Sequence, residues 1–153
     1  MSPCRLSVAL VLAAALAASA ADPIKLDLAD FKLAPAKKGT DDLVKYENDS
    51  ISFYANGTAT AKLTVPADGD YVIVVDASCA AALKENAKFT LKVGDTVVKE
   101  KFELTTENQK EYKFDAKLTK GETTLSIAYV NDVYKENEYD RNLFLHGVRV
   151  EKK

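Results

Sequence analysis

The segment Asn131-Asp132-Val133-Tyr134-Lys135-Glu136-Asn137-Glu138-Tyr139-Asp140-Arg141-Asn142 carries four carboxylates, three asparagines and two tyrosines between two apolar runs. Two residues would be enough to turn one strand into the next, so a dozen polar ones suggest a loop with a task. Four acids against Lys135 and Arg141 leave a local charge of −2, which destabilises a loop unless water or a cation neutralises it. Calcium takes about six to eight oxygens, drawn from carboxylates, backbone carbonyls and Asn amides. Asp132 and Asp140 stand at opposite roots of the segment. If it doubles back, both carboxylates can converge on one ion with the Tyr139 carbonyl beside them. So few protein oxygens would leave positions open for water or for a vicinal diol of a sugar, with Tyr134 and Tyr139 offering apolar faces to the ring. The competing reading is a solvated acidic loop in which Arg141 is a salt-bridge partner. A helix-loop-helix calcium site is excluded, because the order Asp-x-Asp-x-Asp-Gly is absent.

The elements that must hold this segment are strands. From Asp22 onward the chain alternates with period two, in short runs rich in Val, Ile, Thr, Tyr and Phe broken by Gly, Asp and Asn about every ten residues. Strands are expected at Lys25 to Phe31, Leu43 to Glu47, Ile51 to Ala55, Thr60 to Val65, Tyr71 to Val75, Lys88 to Val93, Thr96 to Leu104, Gln109 to Phe114, Thr123 to Val130 and Asn142 to Glu151. The run Tyr71 to Val75 is nearly continuous in apolar residues and reads as a central strand buried on both faces. Gly94-Asp95 supplies the left-handed dihedrals of a two-residue hairpin. In the last strand Leu143 and Leu145 have one parity and Val148 and Val150 the other, so a bulge at His146-Gly147 would turn both pairs to the core. No helix-length apolar stripe competes. The expected fold is all-β, a two-sheet antiparallel β-sandwich of the jelly-roll type.

Composition bounds the rest. Of the 153 residues, 47% are hydrophobic and 29% charged, with a formal charge of −2, a balance that suits one globular domain and excludes a disordered tail. Lys and Arg are scattered among Asp and Glu, so no basic stripe exists to grip nucleic acid. Fifteen of the first twenty residues are apolar. Arg5, the run Leu6 to Ala17 and Ala18-Ser19-Ala20 have the order of a cleaved secretory signal over residues 1–20, too short for a membrane span, ahead of one domain over 22–153. The expected location is outside the cell, in a periplasm or on a cell surface. Cys4 leaves with such a leader, and Cys79 is then alone, best read as a buried inert thiol. Asn48-Asp49-Ser50 and Asn56-Gly57-Thr58 are glycosylation sequons.

Catalytic constellations are missing. The single histidine, His146, lies in the last strand and reads as a hydrogen-bonded structural residue. There is no nucleophile elbow, no paired His for zinc and no Gly-rich phosphate loop. Nothing singles out a carboxylate pair for glycoside hydrolysis. The chain is therefore read as no enzyme.

Val130-Asn131-Asp132, a spacer, and Tyr139-Asp140-Arg141-Asn142-Leu143-Phe144-Leu145 resemble the C-terminal signature of calcium-dependent xylan-binding carbohydrate-binding modules, families thirty-six and sixty. The likeness extends more loosely through Ala59 to Val75 and the Gly94-Asp95 hairpin. It implies a jelly-roll module whose calcium directly coordinates two hydroxyls of xylan or a related polysaccharide. By position, Asp132 and Asp140 resemble the carboxylate ligands and Tyr139 the carbonyl ligand; Asn131, Arg141 and Asn142 match too, and either orient the loop or touch metal or sugar. Related sandwiches hold a second, structural calcium through acids of the first strand, where Asp27 and Asp30 are the nearest candidates. The alternative is a sandwich in which calcium staples the loop and no glycan binds.

Overall fold

The computed structural model describes residues 21–35 and 43–153, and the expected signal segment lies outside them. Twelve strands are described: β1 (Ile24–Leu26), β2 (Lys32–Pro35), β3 (Val44–Glu47), β4 (Ser50–Phe53), β5 (Gly57–Val65), β6 (Gly69–Ala80), β7 (Lys88–Val93), β8 (Thr96–Glu103), β9 (Lys110–Leu118), β10 (Gly121–Tyr129), β11 (Val133–Lys135) and β12 (Tyr139–Lys152). They form two antiparallel sheets. The larger runs β3-β4-β12-β6-β9, with β1 and β11 also paired to β12; the smaller runs β2-β5-β10-β7-β8.

The period-two pattern decides which side chains lie between the sheets. In β5 Ala59, Ala61, Leu63 and Val65 are buried while Lys62 and Thr64 face out, and in β10 Leu125, Ile127 and Tyr129 do the same. The strand β6 lies between β12 and β9. Tyr71, Ile73 and Val75 are buried on its inner face and Val74 on its outer one, whereas Val72 is only half-buried. Phe102 of β8 packs against Tyr112 and Phe114 of β9 with ring centroids 5.2 and 5.0 Å apart, which closes one edge of the sandwich by edge-to-face aromatic contacts. The expected bulge is present: the β12–β6 register shifts between Leu145 and Gly147, so that Leu143, Leu145, Val148 and Val150 are all buried. His146 points outward between two hydroxyls, Nδ1 3.0 Å from Ser50 Oγ and Nε2 2.7 Å from Ser78 Oγ, a structural bridge from β12 to β4 and β6.

One expectation needs correction. The first strand is not continuous over Lys25 to Phe31. Asp27 accepts a hydrogen bond from Ala29 N at 2.9 Å and caps a single 3-10 turn over Leu28–Asp30. A short Asp side chain competing for backbone donors breaks an extended run in this way; here it lets β1 join the large sheet and β2 the small one. The polar segment does double back, and its arms form a short hairpin in which Val133, Tyr134 and Lys135 pair with Arg141, Asp140 and Tyr139. The turn between them is closed by Glu138 N donating to Lys135 O at 3.0 Å, with Asn137 at φ 58, a left-handed position that asparagine tolerates.

Candidate functional site

At one end of the sandwich three connections meet: residues 54–56 between β4 and β5, residues 81–87 between β6 and β7, and residues 130–132 leading into the β11–β12 hairpin. Side-chain bonds to backbone lock them together. Asn131 accepts from Lys88 N at 2.6 Å and donates to Asn86 O at 2.9 Å, so both ends of its amide are committed to the neighbouring connection. Asp132 N donates to Asn56 Oδ1 at 2.8 Å. Asn56 was legible in the sequence only as half of a sequon, and nothing local shows that it reaches a residue 76 positions away.

Arg141 is the central fastener. Only 4% exposed, it donates from Nη2 to Ala82 O at 2.5 Å, from Nη1 to Asn131 O at 2.6 Å and from Nε to Glu85 O at 3.2 Å. Its ion pair is with Glu85, at 3.6 Å. The guanidinium is turned inward onto these carbonyls rather than held in solvent. Lys135, the other base of the segment, pairs with Glu138 at 2.5 Å on the exposed turn.

What Arg141 leaves on the opposite face is acidic. Strand alternation puts Asp140 and Asn142 on the side away from Arg141, and the pairing of Tyr134 with Asp140 puts that tyrosine beside the carboxylate. Asn142 Nδ2 donates to Asp140 Oδ2 at 2.9 Å, which fixes the orientation of the amide, and its Oδ1 is buried and accepts no hydrogen bond. One oxygen of Asp132 is buried as well. Beneath them the Tyr129 hydroxyl donates to Arg141 O at 2.8 Å. Burial raises the Tyr129 pKa most, and the charges of Asp132 and then Asp140 push it further in the same direction, so both carboxylates lie within electrostatic reach of one phenol.

The structure therefore brings Asp132, Asp140, Asn142 and Tyr134 to one end, Tyr134 being 64% exposed. Among the described residues no group of three or more His, Cys, Asp and Glu side chains is arranged to hold a metal. A cation here would rest on two carboxylates supplemented by neutral oxygens. The orphaned Asn142 Oδ1 is such an oxygen and fits a hard cation of calcium type. Asp27 and Asp30 lie elsewhere: β1 pairs with Val148 to Val150 of β12, about 27 Å along the strand from Asp140. Both are exposed, and the groove they line also holds Lys25, Lys32 and Lys62. Cys79 is buried, with its thiol pKa raised chiefly by desolvation.

The fold is shared with several solved structures of carbohydrate-binding modules. The fold matches a family 35 carbohydrate-binding module from Clostridium thermocellum at TM-score 0.60 and 13% identity, over 85% of this chain and 98% of that one. It matches the CBM36-1 domain of a multidomain xylanase from the hindgut metagenome of Trinervitermes trinervoides at TM-score 0.62 and 11% identity, over 86% and 98%. The mannan-binding module of Man5C, in bound conformation, matches at TM-score 0.55 and 14% identity, over 84% and 97%. No curated protein sequence matches. The family model of CBM60, described as a Ca-dependent xylan-binding carbohydrate-binding module, covers residues 72–153, and the chain belongs to that family.

Proposed function

We propose that this protein is a secreted, non-catalytic module that binds xylan or a related polysaccharide through calcium. The observation that carries the reading is the buried, unpartnered Asn142 Oδ1 beside Asp140, within the stretch that the family model covers. Asp132 and Asp140 supply the charge, Asn142 and the Tyr139 carbonyl supply neutral oxygens, and Tyr134 presents a ring at the rim. Asn131 and Arg141 hold backbone rather than ligand. Bound calcium would offer its remaining coordination positions to two sugar hydroxyls. A shallow site of this kind binds weakly, with Kd on the order of 10⁻⁵ to 10⁻³ M.

Affinity electrophoresis through soluble xylan tests the reading directly. Migration is expected to be retarded with calcium and to return to the unretarded rate with chelator. Retardation that survives excess chelator would exclude the metal mechanism. Calcium that raises the melting temperature while no glycan is retained would mark a structural staple instead. Asn56→Ala supplies a second check. It removes the acceptor that positions Asp132 N, and a supporting partner of this kind costs about tenfold or more in metal affinity, read by calcorimetric or fluorescence titration with calcium.

A further inference from the structure

Among the described residues, two-residue turns between paired strands or bridged residues follow a chemical rule with one exception. At Asn48-Asp49, between the paired Glu47 and Ser50, the left-handed positions (φ 49 and 59) are taken by Asn and Asp. At Gly94-Asp95, between Val93 and Thr96, glycine takes φ 55. These residue types accept positive φ. The turn between Ala82 and Glu85 is different: Leu83 has φ 54 and Lys84 φ 63, and leucine is poorly suited to that region. Burial does not explain its presence, since Leu83 is 60% exposed. It supplies neither turn geometry nor core packing.

Its location supplies the missing reason. Ala82 and Glu85 exchange both backbone hydrogen bonds at 3.1 Å, and the same guanidinium of Arg141 that holds their carbonyls also holds Asn131 O. The turn is thus fastened within one side chain's span of the residue before Asp132. We infer that Leu83 is a ligand-contacting residue on the rim of this site, its apolar side chain packing on the C–H face of a pyranose ring whose hydroxyls reach the cation. The inference rests on the polysaccharide-binding reading and adds to it a contact outside the acidic hairpin. Strain at a turn that presents an apolar group to a ligand is a familiar feature of binding sites.

Leu83→Asn separates the two roles. Asparagine suits the left-handed position, so the variant is expected to melt about 2–5 °C higher than the parent in chelator. In calcium its affinity for soluble xylan is expected to fall about fivefold, the loss of one partly buried apolar contact. Val97→Asn, which removes an exposed valine on β8 (47% exposed), is expected to leave retention unchanged. Unchanged xylan affinity in Leu83→Asn would overturn the inference while leaving the polysaccharide reading intact. A lowered melting temperature would overturn it too, by showing that Leu83 stabilises the fold. Failure of the parent protein to bind xylan or any related polysaccharide in calcium would overturn the underlying reading and the inference together.

Discussion

Asp140→Ala is expected to abolish calcium-dependent retention on xylan and to weaken calcium binding by about 100-fold or more, because loss of even an outer partner of a metal ligand costs about 10- to 100-fold. The stability of the metal-free protein should fall by only about 1–3 kcal/mol, since Asp140 is exposed and what its loss removes is the acceptor of the buried Asn142 amide. Asp140→Asn sharpens the test. It keeps an oxygen for the Asn142 amide but removes the charge, so a comparable loss of calcium affinity assigns the effect to electrostatics rather than to a disordered Asn142. Calcium titration of the two variants beside melts in chelator measures both quantities. Full calcium affinity in Asp140→Ala would remove this carboxylate from the site.

Arg141→Ala is expected to have the largest effect on stability of any single change at this end of the molecule. It strips the donor from three carbonyls, those of Ala82, Glu85 and Asn131, and leaves a space where a nearly buried side chain stood. Removing one partner from a buried charged network costs about 3–5 kcal/mol, which for a domain of this size lowers the melting temperature by about 10 °C or more. Lysine should not restore it, because a point ammonium cannot fan out to three carbonyls as the planar guanidinium does. The exposed partner Glu85 adds little to this figure, since an ion pair at 3.6 Å to a side chain 51% exposed is screened by water. Chemical denaturation of Arg141→Ala and Arg141→Lys checks the expectation, and a loss under about 1 kcal/mol would show that water takes over the carbonyls.

The two expectations come from adjacent residues on one strand that face opposite ways. Asp140 and Asn142 face the candidate ligand, while Arg141 faces into the sandwich and ties the β6–β7 turn to the root of the hairpin. One residue of register therefore separates the group that would bind from the group that supports. It also explains how Arg141 can stand between Asp140 and Asn142 and yet direct its donors to backbone carbonyls.

Much of the architecture is legible in the sequence. Alternation in Ala61 to Val65 and in Thr123 to Val130 has period two, a local property of extended chain, and burial follows it. The parity change around His146-Gly147 announced the bulge, and Gly94-Asp95 announced its turn, because each depends on a few neighbouring residues. The composition of residues 131 to 142 likewise marked the acidic end of the molecule. Tertiary structure alone decided which of these groups face one another. The break at Asp27, the reach of Asn56 to Asp132 N, the inward turn of Arg141 and the orphaned oxygen of Asn142 all arise from sheet register and from connections far apart in sequence. Side-chain direction in a strand is local, but the partner it meets is set by whichever strand or turn packs across from it, and a period-two pattern does not encode that choice.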